Sequence, residues 1–204
     1  MLVKRLGSVL MCIALALIVV ACGGITTPST SSSPTVSTAP AASPKEGTMA
    51  FTIRSSAFNP GDPIPTQYTC SGQGISPALS WNGQPQNTAS FALIADDPDA
   101  PRGVFTHWVV YDLPATVHEL PEGVPTTDRL EDGGLQGRNS GNKIGYTPPC
   151  PPAGPAHHYH FKLYALAVPT LNLNAGASKD QVLSAMEGHV LAQSEAVGTY
   201  QRGG

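Results

Sequence analysis

Between residues 49 and 204 the apolar runs are short, and each is closed off by Pro, Gly, Asn or Asp. A run of that length can form a strand but cannot sustain a long helix, because proline removes a backbone donor and glycine adds chain entropy. Phe51-Thr52-Ile53-Arg54-Ser55 alternates apolar and polar residues before the turn Asn59-Pro60-Gly61-Asp62. Further strands are predicted at Pro77 to Trp81, Ser90 to Ala95, His107 to Leu113 and Tyr159 to Ala167. The chain carries 21 Gly and 20 Pro, which with these runs implies a mostly β fold with long ordered loops. One helix is predicted from Ser178 to about Glu187: Ser178 caps it, Gln181 completes a capping box, Val182, Leu183 and Met186 form an apolar stripe, and Gly188 ends it. Propensity alone would extend a helix through Val190 to Glu195, but Gly188 and Gly198 bracket that segment and it finishes in β-friendly Val197, Thr199 and Tyr200.

The first residues follow a different rule. Lys4 and Arg5 precede an uncharged, largely apolar run from Leu6 to Ala21, the layout of a secretory signal. The run falls short of a spanning helix and ends at Cys22-Gly23-Gly24. Val19-Val20-Ala21-Cys22 resembles the bacterial lipobox, in which the cysteine is lipidated and becomes the new N-terminus; the alternative is an ordinary cleaved signal with Cys22 as a bystander. From Ile25 to about Thr48, Ser, Thr, Pro and Ala dominate, a composition that cannot bury enough apolar surface to offset ordering and so reads as a tether. The expected organisation is a signal over 1–21, a lipidated cysteine and linker over 22–48, and one domain over 49–204. Such a protein sits in the cell membrane by its lipid anchor, on the extracytoplasmic side.

Charge and cysteine content narrow the function. Loss of Lys4 and Arg5 from 11 basic side chains, against 14 acidic ones, leaves the mature protein mildly acidic, which argues against a nucleic-acid partner. Of the four cysteines, Cys12 leaves with the signal and Cys22 takes the lipid. Cys70 and Cys150 remain, and in an exported domain two cysteines suggest one disulfide, with two free thiols as the alternative.

Polar residues concentrate in three blocks: Asp96-Asp97-Pro98-Asp99-Ala100-Pro101; His107-Trp108; and Gly137-Arg138-Asn139-Ser140 with Gly145 to Pro152 and His157-His158-Tyr159-His160-Phe161. If the last run is extended, His157, Tyr159 and Phe161 share one face while His158, His160 and Lys162 share the other. Asp97, His107, His157 and Tyr159 would then line one small pocket beside a proline-rich wall. Competing roles are loop capping for Asp97 and Asp99, and a buried core position for His107. Neighbouring histidines in a strand point apart, so no metal site is expected. Neither Ser71 nor Ser140 lies in a nucleophile elbow, and Gly137 to Gly141 is no nucleotide cradle, so no catalytic residue and no cofactor are expected.

Taken in order, Asp97-Pro98-Asp99-Ala100-Pro101, His107-Trp108, Gly137-Arg138-Asn139, Gly145-Tyr146, Pro148-Pro149-Cys150-Pro151-Pro152 and His157-His158-Tyr159 resemble the phosphatidylethanolamine-binding protein family, in its bacterial Raf-kinase-inhibitor-like branch. The resemblance implies two antiparallel β-sheets with one or two short peripheral helices, and it turns the segment after Gly188 into a strand. It also implies a pocket for phosphate, phosphorylethanolamine or similar small anions. In that pocket Asp97 and Asp99 match the family's aspartates, His107 its histidine, His157 and Tyr159 its histidine and tyrosine, and Pro151 and Pro152 its rim. His158 stands where arginine is usual. The expected function is non-enzymatic anion binding by a membrane-anchored protein. Inhibition of a protease or kinase-type partner is the alternative, and hydrolysis a weaker one.

Overall fold

The computed structural model describes residues 50–203. The signal, Cys22 and the linker lie outside the described residues. The elements are β1 (Thr52–Ser55), a 3-10 turn (Thr66–Tyr68), β2 (Leu79–Asn82), β3 (Ser90–Asp97), β4 (Phe105–Pro114), β5 (Glu119–Leu120), β6 (Leu135–Gln136), β7 (His157–Leu166), α1 (Lys179–Met186) and β8 (Val190–Tyr200). They form a five-stranded sheet in the order β6-β4-β3-β7-β8 and a three-stranded sheet in the order β1-β2-β5. All pairings between these strands are antiparallel. The fold is therefore mostly β, two antiparallel sheets with one helix.

Strand β3 is buried at every position, since it is central and covered on both faces. Phe91, Leu93 and Ala95 meet Trp108 and Val110 of β4, Phe161 and Leu163 of β7, and Ile53 and Trp81 of the small sheet. Ala92 and Ile94 point the other way, into a second cluster that Val182 and Met186 of α1 close. A large apolar side chain buried this fully contributes about 1.5–3 kcal/mol, so the double layer on β3 is the main source of cohesion.

Helix α1 forms as its sequence directs. Ser178 Oγ accepts from the Gln181 amide at 3.3 Å while Gln181 Oε1 accepts from the Ser178 amide at 2.9 Å, completing the capping box. Val182 and Met186 are buried, but Leu183 is 37% exposed and leaves the expected stripe. Residues 190–200 form β8 along β7, so pairing with a strand edge outweighs helix propensity. The structure lengthens β3 to Asp97 and β4 to Phe105 and Pro114. It also adds β5 and β6, whose two residues each are too short to show a period.

The outer side of β8 is covered at its C-terminal end by an irregular segment. Gly61 N donates to Val197 O at 2.8 Å, Ile64 N to Thr199 O at 2.7 Å, and Thr199 N to Asp62 O at 2.9 Å. Phe58 and Ile64 then lie over Gly198, where an added Cβ would stand 2.6 Å from Ile64 and 2.8 Å from Phe58. Cys70 and Cys150 are bonded, with Cα atoms 5.3 Å apart and a sequence separation of 80. A bridge over that length lowers the freedom of the unfolded chain by about 4 kcal/mol. Two hydrogen bonds join the same segments, Cys70 N to Pro149 O and Tyr146 Oη to Tyr68 O, each 3.0 Å.

Gly198→Ala is expected to destabilise the domain by about 1–3 kcal/mol through overpacking against Ile64 and Phe58. Urea unfolding followed by tryptophan fluorescence checks this; a midpoint equal to that of the unaltered protein would show that the crossing segment yields freely.

Candidate functional site

The ladder between β3 and β4 is irregular where it matters. Ala95 pairs with Trp108 and Asp96 with Thr106, so His107 is an extra residue opposite none. Simple alternation would send His107 and Trp108 to opposite faces. The bulge lets both lean toward the inter-sheet side, where Trp108 enters the core and the His107 ring meets Tyr159 edge-on, with centroids 5.2 Å apart.

His107 is held by a loop rather than by its own strand. Its Nδ1–H donates to Thr147 O at 2.7 Å, and Thr147 N donates back to His107 O at 2.8 Å. Asn139 fixes that loop: Nδ2 donates to Thr147 Oγ1 at 2.7 Å and to Gly145 O at 3.0 Å, while Oδ1 accepts from the amides of Gly141 and Lys143. The carbonyl partner on Nδ1 makes Nε2 the unprotonated nitrogen of the neutral ring, and Nε2 is buried without a partner among the described residues. Burial pushes the imidazole below its ordinary value of 6.5, against the opposing pull of Thr147 O and Asp97.

Asp97 ends β3 and lies opposite Phe105. Its Oδ1 accepts from the Asp99 amide at 2.9 Å, and its Oδ2 accepts from His157 Nδ1 at 2.7 Å. The side chains of His157 and Asp97 are only 7% and 5% exposed. A buried carboxylate is costly unless bonded, and this one has both oxygens engaged. With Nδ1 occupied, His157 has Nε2 left to offer a ligand.

A cleft of about 580 Å³ opens over this floor. Asp97, His107 and His157 line it, with Pro151 and Pro152 on one wall and the segment from Ala100 to Phe105, including Arg102, on another. The structure thus brings together five of the residues singled out in the sequence. Tyr159 is not among the lining residues: it lies behind His107, its hydroxyl buried without a partner among the described residues, and burial pushes the phenol well above its ordinary value. Asp99 is also outside. Its Oδ2 accepts from the His158 amide at 2.8 Å and meets His158 Nδ1 at 2.7 Å, which holds its carboxyl below the usual range and clamps the loop after β3 to β7. His158 therefore serves as a loop clasp on the exposed face.

Thr147, Asn139 and Arg102 were not selected from sequence. Asn139 and Thr147 lay inside polar blocks, but their contact spans a turn and leaves no periodic trace. Ser140 also lines the cleft, where its Oγ accepts from the Thr106 amide at 2.8 Å. Among the described residues no three His, Cys, Asp or Glu side chains converge as a metal site.

Two packed antiparallel sheets with a preformed cleft and a few convergent polar groups have the build of a binding protein. The family model described as phosphatidylethanolamine-binding protein matches residues 54–201. The chain belongs to the phosphatidylethanolamine-binding protein family. It is 51% identical over 151 residues to a UPF0098 protein of Methanothermobacter thermautotrophicus, covering 74% of this chain and 99% of the relative. A UPF0098 protein of Aquifex aeolicus is 47% identical, covering 74% and 88%. Among solved structures, a phosphatidylethanolamine-binding protein homologue from Chlamydia trachomatis is 42% identical with a TM-score of 0.69, covering 75% of this chain and 98% of that one. Escherichia coli YbcL, described as a new member of the mammalian PEBP family, is 34% identical with a TM-score of 0.70, covering 74% and 98%.

The depressed His107 gives a signed pH dependence. Below 6.5 the unfolded chain takes up a proton that the folded ring resists, so this contribution to stability is present above 6.5 and is lost as pH falls toward the folded value. Thermal unfolding of the unaltered protein is expected to fall more steeply between about pH 7 and 5 than that of His107→Asn, which keeps a donor for Thr147 O but does not titrate. Parallel slopes in the two proteins would contradict the assignment.

Proposed function

We propose that this is a membrane-anchored, extracytoplasmic binding protein of the Raf-kinase-inhibitor-like branch, whose cleft takes a phosphate-like or other small anionic headgroup without chemical turnover. The observation that carries the reading is the Asp97–His157 pair in the floor of the cleft. Asp97 orients the ring through Nδ1, which leaves Nε2 as the nitrogen that meets a ligand oxygen in the cleft. Arg102 on the lip adds a cation to the cleft. His107 forms part of the floor, its ring fixed by the bond from Nδ1 to Thr147 O. Pro151 and Pro152 keep the wall stiff, so less ordering is required on binding.

The anchor rests on Cys22 and the apolar run before it, and the domains proposed are a signal over 1–21, a lipidated linker over 22–48 and the binding domain over 49–204. Two acyl chains are enough for stable attachment, so the cleft need not grip the bilayer.

Calorimetric titration of the full-length protein with inorganic phosphate and with phosphorylethanolamine tests the ligand. Saturable binding is expected, weakened about tenfold or more in His157→Ala, as for loss of a charged hydrogen bond. Silence with both compounds, or an unchanged affinity in the variant, would sink the reading. Separately, bacteria expressing the chain and fed labelled palmitate are expected to incorporate label and hold the protein in the membrane fraction. Cys22→Ser is expected to abolish both; label retained in that variant would refute the anchor.

A further inference from the structure

Cys150 has two positions in the molecule at once: it is half of the disulfide, and it lines the cleft between Pro148 and Pro151. Both bridged cysteines are exposed, so an external thiolate can approach them, as it cannot a buried bridge. The two sulfurs are not equivalent. Arg202 directs Nη1 to Cys150 Sγ at 3.6 Å, whereas no hydrogen-bonding group among the described residues reaches Cys70 Sγ. The tail carrying Arg202 is fixed on both sides of the bridge, since Tyr200 Oη donates to Ser71 Oγ and Gln201 Nε2 donates to Gly154 O, each at 2.7 Å.

A neighbouring guanidinium favours a thiolate over a thiol, and the better-stabilised thiolate is the better leaving group. We propose that the Cys70–Cys150 bridge is a thiol–disulfide exchange site, at which an external dithiol attacks Cys70 and Cys150 departs as a thiolate beside Arg202, into the wall of the cleft. In the first step the attacking thiolate forms a bond to Cys70 Sγ as the bond to Cys150 breaks, and the electron pair leaves on Cys150 Sγ. The second thiolate of the dithiol then attacks the mixed disulfide at the reagent's sulfur and releases Cys70, which takes a proton from solvent. The protein gains two electrons and the dithiol becomes a disulfide.

The product changes the cleft, because it sets a negative charge in a wall that was neutral. Reduction therefore weakens binding of an anion there, and by reciprocity a bound anion disfavours reduction. That coupling rests on the ligand reading above, whereas the choice of sulfur does not.

The test begins with the folded, full-length protein exposed briefly to glutathione in the presence of an alkylating agent, followed by peptide mass mapping. Glutathione is a monothiol and stalls at the mixed disulfide. It is expected on Cys70, with alkylated Cys150, in roughly three- to tenfold excess over the reverse product. Arg202→Gln is expected to bring the two products toward parity and to slow reduction by dithiothreitol. Equal partition in the unaltered protein, glutathione mainly on Cys150, no effect of Arg202→Gln, or a bridge that dithiothreitol cannot open without denaturant would each overturn the proposal. The partition reports the first attack on the intact fold, so unfolding of the reduced form does not disturb it. A phosphate titration before and after reduction reads the coupling. A several-fold weaker affinity supports it and an equal affinity overturns it, while no binding to the bridged protein overturns the ligand reading and leaves the partition result standing.

Discussion

The hydrogen bond between Asp97 and His157, 2.7 Å long and nearly sealed from water, reconciles two demands on one strand. Strand β3 is buried on both faces and holds the domain together, so its residues should be apolar, and up to Ala95 the inward-facing ones are. The strand nevertheless ends in carboxylates on both faces. Asp96 meets Thr106 Oγ1 at 2.8 Å and Lys179 Nζ at 3.3 Å on the helix side, and Asp97 meets His157 on the cleft side. Each aspartate is thereby partnered by a different element, and leaving either one alone would strand a buried charge. The cleft lies where apolar packing gives way to paired polar groups.

The supporting layer follows the same logic. Gln136 is fully buried in β6, yet it accepts from Trp108 Nε1 at 2.7 Å and donates to the carbonyls of Pro125 and Thr127. Asn139 performs the equivalent service for the loop that carries Thr147. Two amide side chains thus tie irregular backbone to the sheet, which is how long loops rich in proline and glycine remain ordered without regular ladders. Their rigidity is what allows His107 to sit in a bulge with a defined tautomer.

Much of this was legible in the residues. Strand alternation placed His157, Tyr159 and Phe161 on one face, as the burial of β7 shows, and the capping box marked the start of α1. Proline and glycine gave the boundaries of the longer strands to within a few positions. The bulge at His107 was not legible, because an extra residue has no signature until its partner strand is known. The separation of Tyr159 and Asp99 from the cleft was hidden for a related reason. A shared face does not tell which of two adjoining rings faces the cleft, and Asp99 turns outward because His158 offers both a ring and an amide. The placement of Asn139 depended on a turn with Asn142 at φ 58, a contact set by backbone geometry rather than by periodic pattern.

The segment crossing β8 has a consequence for how neighbouring molecules meet. An uncovered strand edge is a row of unpaired donors and acceptors, a template on which another chain can add itself. Here the carbonyls of Val197 and Thr199 and the amide of Thr199 are taken up within the same molecule by Gly61, Ile64 and Asp62, and only a residue without a side chain at 198 lets that covering lie close enough. Gly198 is thus a safeguard of solitude as well as a packing choice. With it the far end of that edge is occupied, and copies crowded together have less backbone on which to begin a shared sheet.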